Sequence, residues 1–247
     1  MQFFPKRHPN EEQRLQVLYS YGILDTPVEE DFEAITELIS HICEMPIAVI
    51  NLVDRDRQWF KSEVGMGAKE APIDTSFCGH AILEEDFMLV PDTFNDPRFQ
   101  NNPLVTGKPH LRFYAGAILK AEDGMPLGTL CVLDHEPRQL SERQTRVLKA
   151  MARQTMALIT LRRDTHRAQL EQARLQRAMD ESHHRIKNNL QVLAALVDLQ
   201  RLKHPEQVPP GELQRLSEHI RTLGELHDLL TSDKESAATG YIQVQAL

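Results

Sequence analysis

Leu158, Thr165, Gln172, Met179, Ile186 and Leu193 recur every seven residues, and Leu161, Ala168, Leu175, Ser182, Asn189 and Leu196 accompany them at an offset of three. Two interleaved sevens of this kind call for an unbroken helix whose seam faces a partner helix, as in a coiled coil. The polar members Thr165, Gln172, Ser182 and Asn189 weaken that seam. A switching element tolerates such weakness, whereas a purely structural rod would avoid it. The register therefore predicts a helical linker that carries a signal along the chain by a change in helix pairing.

On this rod lies Glu181-Ser182-His183-His184-Arg185-Ile186-Lys187-Asn188-Asn189-Leu190-Gln191. Ile186, Leu190, Leu193 and Val197 repeat at four, three and four residues and form the packing stripe of an amphipathic helix. His184 lies off that stripe, with Lys187 at i+3 and Asn188 at i+4, where an ammonium and an amide reach the oxygens of a phosphoryl group held on the imidazole. A His-His pair on a surface helix is by itself ordinary. The dense polar block Arg185, Lys187, Asn188 and Asn189 is not, because asparagine is a poor helix former in mid-helix.

The run from His184 through Leu199 to Gln200 resembles the dimerisation and phosphoacceptor helix of the HisKA_2 class of bacterial two-component sensor histidine kinases. The resemblance implies that His184, directly before Arg185, is autophosphorylated from ATP, with His183 its non-acceptor neighbour. It places Glu181, the acidic residue ahead of the acceptor, where it helps to polarise the imidazole. Lys187 and Asn188 then supply charge compensation and orientation, and Arg185 either docks a partner or simply faces solvent.

Leu213, Leu216, Ile220, Leu223, His227 and Leu230 predict a second amphipathic helix, separated from the first by the Pro- and Gly-containing segment 204–211. An antiparallel hairpin follows, and two copies packing as a four-helix bundle would cover the apolar face that one copy leaves open. A homodimer is thus expected on physical grounds as well as by family. His227 is either a packed seam histidine or a participant in phosphate transfer. In the family an ATP-binding domain with a Mg-binding Asn helix follows the hairpin. Here only Asp233 to Leu247 follows, with Tyr241-Ile242-Gln243-Val244 alternating like a first strand, so ATP and Mg are expected to be handled by a C-terminal domain missing from this chain.

The net charge of −8 and the lack of an arginine-rich arm argue against nucleic-acid binding. Three widely separated cysteines, Cys43, Cys78 and Cys131, fit neither a metal spacing nor a secreted disulfide framework. No apolar run approaches the ~20 residues a bilayer requires, and no signal peptide is evident, so no membrane association and a cytoplasmic location are expected.

The N-terminal part changes period as an α/β domain does. Asn10-Glu11-Glu12-Gln13 has the form of a capping box ahead of a helix with Leu15 and Leu18 that ends at Gly22. Phe32, Ile35, Leu38, Ile39 and Ile42 form a second helical stripe before Pro46. Residues 47–53 and 59–62 read as strands, residues 114–119 and 128–134 as a hairpin, and Ser141 as the cap of a long helix. Thr75-Ser76-Phe77-Cys78, Val90-Pro91-Asp92, Asp96-Pro97-Arg98-Phe99, Asn102-Pro103-Leu104-Val105, Arg112-Phe113-Tyr114-Ala115-Gly116 and Pro126-Leu127-Gly128-Thr129-Leu130-Cys131-Val132 resemble a GAF sensory domain over roughly residues 10 to 160. The resemblance implies an antiparallel sheet of five or six strands, with helices on one side and a pocket under loops on the other.

Phe77, Cys78, Asp92, Arg98, Arg112 and Tyr114 are the candidate pocket residues. Asp92 and Asp96 equally suit turns, with Arg98 and Arg112 pairing to them as structural ion pairs. Cys78 and His80 show neither a bilin-attachment context nor metal-ligand spacing, so no metal is expected, and the sensory ligand is unknown. A cyclic nucleotide follows from family analogy alone.

The chain is thus expected to comprise a GAF sensor domain over 1–160, a coiled-coil linker helix over 161–180, a HisKA_2 dimerisation and phosphotransfer hairpin over 181–232, and a tail over 233–247. Its expected activity is that of a homodimeric cytoplasmic sensor histidine kinase that is inactive without its ATP-binding domain and passes its phosphoryl group to a response-regulator receiver domain. The alternative is a non-catalytic GAF dimer serving as an interaction or phosphotransfer scaffold.

Overall fold

The computed structural model describes residues 4–203, 211 and 214–227, which fall into two compact units, Met1–Arg167 and Ala168–Leu247. In the first unit, helix α1 (Glu11–Ser20) buries Leu15 and Leu18 and stops at Gly22, whose φ of +56° is the left-handed conformation glycine adopts without strain. The expected capping box does not form. The Asn10 N–H that Gln13 would have to accept is held by His8 Nδ1 at 3.2 Å, and the Asn10 side chain caps nothing. The helix start is fixed instead by fully buried Arg14, which donates to the Glu11 carboxylate at 2.7 and 2.8 Å and to the Val53 carbonyl at 2.7 Å.

Helix α2 (Glu30–Cys43) buries Phe32, Ile35, Ile39 and Cys43, a narrower stripe than expected, because Leu38 and Ile42 remain exposed. Six strands follow: β1 (Ile47–Val53), β2 (Arg57–Val64), β3 (Glu70–Pro72), β4 (Phe87–Val90), β5 (Phe113–Lys120) and β6 (Pro126–Asp134). They form one antiparallel sheet in the order β3-β2-β1-β6-β5-β4, with the short helices α3 (Phe77–Ala81) and α4 (Pro103–Thr106) in the connections. The strands β3 and β4, too short or too exposed to show a period, are additions to the sequence reading.

Alternation along the central strands divides two cores. Ala48, Ile50 and Leu52 of β1 face the helical layer with Ala115, Ala117 and Leu119 of β5. Ile47, Val49 and Val53 face a second layer containing Phe77, Phe99, Tyr114 and Cys131. Both faces of β1 are therefore buried, and it reads as a continuous apolar run interrupted only by Asn51.

The long helix α5 (Glu142–Lys203) has no proline or glycine, and its start is a capping box. The Gln144 N–H donates to Ser141 Oγ at 3.2 Å while the Ser141 N–H donates to Gln144 Oε1 at 3.0 Å. Leu148, Ala152, Met156 and Ile159 pack against the sheet core. Past them, Arg162 donates to Glu29 and to the Gly22 carbonyl, Arg167 donates to the Ser20 carbonyl, and Arg163 stacks over the Tyr21 ring. The heptad positions Leu161, Leu175 and Met179 are exposed on this chain.

In the second unit, the later part of α5 is joined by a helix over 214–227, here α6. The segment His204–Pro210, together with Leu213, Leu230 and the tail with Tyr241–Val244, lies outside the described residues, and Gly211 is helical. Among the described residues no helix is long and apolar enough to cross a membrane.

Candidate functional site

The two histidines of the motif have different surroundings because consecutive helical residues point about 100° apart. His183 is partly buried, its ring edge-on to that of His227 on α6 with centroids 5.1 Å apart. His184 is exposed. One and two turns on from His183, Lys187 and Leu190 also turn toward the hairpin interior, so the residue expected at i+3 from His184 is partly buried, whereas Asn188 is exposed. Glu181 is paired with Arg185 at 2.5 Å across one turn, which places its carboxylate on the side of the guanidinium.

The hairpin is antiparallel. His183 meets His227 at one end, and Asp198 accepts from Ser217 Oγ at 3.1 Å and from Arg221 at 2.8 Å at the other. Ala194 and Ser217, both small, are buried where the helices approach. Between these two contacts Leu190, Ala194, Ile220 and Gly224 line a groove of about 390 Å3, rimmed by Lys187 and Glu225. Ile186, Leu193, Leu196, Leu216, Leu223 and Leu226 are exposed large hydrophobics on this single chain.

The six pocket candidates of the sensor domain separate into two groups. Phe77, Cys78 and Tyr114 come together in the second core, where Phe77 stacks on Phe99 at 4.5 Å and on Tyr114 at 5.5 Å. Asp92, Arg98 and Arg112 lie apart from it. Arg112 grips Asp92 through contacts of 2.9 to 3.1 Å and stacks over Phe94, while Asp92 also caps the turn that follows it. Arg98 grips Asp96 at 2.8 and 3.0 Å and reaches Glu84 at 3.3 Å. Burial would raise the Asp96 carboxyl, but the Arg98 guanidinium outweighs it and holds the group below the usual carboxylate range.

The pocket expected under the loops is closed by this aromatic stack. What is left is a cavity of about 20 Å3 among Val49, Asn51, Cys78, Tyr114 and Cys131, room for about one water molecule against the several hundred Å3 of a ligand site. Gly116 makes the stack possible: a Cβ there would strike the Tyr114 ring, which folds back over it along β5.

Cys131, Asn51 and Thr129 are not among the six pocket candidates read from the sequence, yet all are fully or nearly fully buried around Cys78. Strand parity was the available signal, since Gly116 pairs with Cys131 and Asn51 with Thr129 across neighbouring strands.

Residues 27–159 match the GAF domain model, and residues 181–244 match the histidine kinase model HisKA_2. The chain belongs to the GAF domain family, and its GAF domain is followed by a HisKA_2 histidine-kinase domain. It is a bacterial-type signal-transduction sensor in its architecture. Over 163 residues it is 40% identical to the cyclic di-GMP phosphodiesterase PA2567 of Pseudomonas aeruginosa, a match covering 66% of this chain and 28% of that protein. Among solved structures it is similar to a domain of a putative two-component sensor histidine kinase from Sinorhizobium meliloti (17% identity, 61% of this chain, 99% of that one, TM-score 0.43). It is also similar to the free methionine-R-sulfoxide reductase of Neisseria meningitidis (14% identity, 67% and 99% covered, TM-score 0.47).

Proposed function

We propose that this chain is the sensing and phosphotransfer part of a cytoplasmic sensor histidine kinase that works as a homodimer. In this reading the His184 imidazole attacks the γ-phosphorus of ATP presented by an ATP-binding domain, and the bond to the β-phosphate oxygen breaks as ADP leaves. A carboxylate of a response-regulator receiver domain then attacks the same phosphorus, the P–N bond breaks, and the group passes on. The observation that carries this reading is the contrast within the pair: His184 faces solvent on a rigid helix, while His183 is turned against His227.

Asn188 stands one turn from His184 and orients the phosphoryl oxygens, Lys187 compensates their charge from the rim of the hairpin groove, and Glu181 assists the imidazole when Arg185 is drawn to a partner. The exposed stripe of Ile186, Leu193, Leu196 and Leu223 supports a second copy completing a four-helix bundle, with domains as laid out along the sequence. The test is incorporation of label from γ-labelled ATP into the native-length protein. Acid-labile, base-stable label that vanishes in His184→Ala supports the reading. Absence of label from folded protein with nucleotide bound would favour the scaffold alternative.

A further inference from the structure

The second core of the sensor domain holds two thiols that the proposed phosphotransfer does not use. Cys78, on α3, and Cys131, on β6, are both buried, with their sulfurs 3.8 Å apart. Neither belongs to a lone apolar position. The Tyr114 hydroxyl donates to Cys78 Sγ at 3.5 Å, and Cys131 Sγ lies 3.7 Å from the Val49 carbonyl. The small cavity described above lies against both sulfurs, and Met66 and Leu104 are its partly buried lining residues. Asn51 Oδ1, in a residue with no exposed surface, borders the same cavity without a hydrogen-bond partner. A buried carbonyl oxygen left unpaired is costly, which marks a place where a small polar molecule with an O–H would be welcome.

We propose that Cys78 and Cys131 are a peroxide-reactive dithiol, a modification site in which hydrogen peroxide converts the pair to an intramolecular disulfide. In the first step the Cys78 sulfur attacks one peroxide oxygen and the O–O bond breaks. The departing hydroxide takes the proton that the Cys78 thiol gives up and becomes water, and Cys78 becomes a sulfenic acid. In the second step the Cys131 sulfur attacks the sulfenic sulfur. The S–O bond breaks, the leaving hydroxide takes the Cys131 proton, and a second water is formed with the S–S bond. Two thiols lose two electrons and one peroxide gains them, and an external dithiol reductant reverses the change.

The division of roles follows from the surroundings. Burial pushes the Cys78 thiol up, but hydrogen bonding from Cys131, Thr129 and Tyr114 outweighs it and draws the group below its ordinary value. Cys131 is driven the other way, by its hydrogen bond to Cys78 and by burial. The geometry divides the roles in the same way: Cys78 Sγ accepts from the Tyr114 hydroxyl, whereas Cys131 Sγ–H donates to the Val49 carbonyl and so keeps its proton, which makes Cys78 the attacking sulfur and Cys131 the resolving one. Closing the gap from 3.8 Å to the bond length of about 2.05 Å draws α3 toward β6. Because Phe77 precedes Cys78 and stacks on Phe99 and Tyr114, that movement disturbs the aromatic stack under the loops. Cys43 is an internal control, a buried thiol in the other core that burial pushes up to about 11.

The experiment treats the reduced full chain with hydrogen peroxide and maps thiols by differential alkylation and peptide mass. The expected result is a Cys78–Cys131 linked peptide that dithiothreitol abolishes, formed at least about tenfold faster than any loss of the Cys43 thiol. In Cys131→Ser a dimedone adduct should accumulate on Cys78, and in Cys78→Ser the Cys131 thiol should stay reduced. The proposal is overturned if Cys78 and Cys131 in the folded wild-type chain stay reduced. It is equally overturned if they oxidise in step with Cys43, which would mean access by unfolding. The wild-type map decides this without relying on either variant to fold, and none of these readouts depends on phosphorylation of His184.

Discussion

Removal of the Glu29 carboxylate should cost the sensor domain more than removal of the buried lysine it serves. Lys61 Nζ, on a side chain with 0% exposure, donates to Glu29 Oε1 at 2.5 Å, Pro27 O at 2.8 Å and Thr26 Oγ1 at 3.0 Å, and lies 5.0 Å from the Phe32 ring centroid. Glu29 also accepts from Arg162 of α5 at 2.9 Å, so this carboxylate ties the start of α2 and strand β2 to the long helix. The two charges are not equally comfortable. Burial holds the Lys61 ammonium below its ordinary value even with Glu29 beside it. Burial would raise Glu29, whose side chain is 37% exposed, but Lys61 and Arg162 together bring it below its ordinary value. Glu29→Ala strands a fully desolvated ammonium on two neutral acceptors. Breaking a buried pair this way costs about 3–5 kcal/mol, and the partial exposure of Glu29 reduces the expectation to about 2–3 kcal/mol. Lys61→Met removes the desolvated charge itself and leaves Glu29 with Arg162 and water, for a change within about 1 kcal/mol. Trp59, the single tryptophan, is buried in β2 and reports this domain in a thermal melt followed by fluorescence. Glu29→Ala should lower Tm by roughly 5–10 °C and Lys61→Met by no more than a few degrees. A Lys61→Met loss equal to or larger than that of Glu29→Ala would mean that the buried ammonium is not the costly partner of the pair.

The same fluorescence melts check three further expectations. Ser141→Ala removes the side-chain acceptor that starts α5 and should cost about 1 kcal/mol, with an unchanged Tm showing that the box contributes nothing. Gly116→Ala forces the Tyr114 ring out of its place and should cost about 1–3 kcal/mol, whereas retention of wild-type Tm would mean the stack can shift freely. Glu11, Glu29, Asp54 and Asp96 all have folded values below their ordinary ones of 4.5 for Glu and 3.8 for Asp. Their contribution is complete above those values and is lost as pH falls through the lower folded values, so urea midpoints should fall from pH 6 toward pH 3, and a flat profile would contradict the pairing.

Much of the fold was legible because burial and period coincide in it. Strand β1 is apolar on both faces, the hairpin of β5 and β6 has its turn residues, and Ser141 and Gln144 stand at capping-box spacing and use it. The same spacing misled at Asn10, where a histidine two residues earlier took the N–H that Gln13 would have needed. Helix α5 carries two stripes, the sheet-packing set Leu148, Ala152, Met156 and Ile159 and the exposed heptad set, and only the second has a period long enough to stand out. The motif around His184 was legible as sequence, but the turning of His183 toward His227 depends on a helix some forty residues away. Nothing local could have revealed that Cys78 and Cys131 share a cavity, since the packing of α3 against β6 brings them together across 53 residues.

If the proposed function holds, the exposed histidine of the pair, and not its packed neighbour, carries the phosphoryl group. Peptide mapping of the phosphorylated native-length protein under alkaline conditions, which spare a P–N bond, locates the group directly. Phosphate is expected on His184, retained in His183→Ala and absent in His184→Ala. Phosphate on His183, or on any other residue with His184 unmodified, would contradict it.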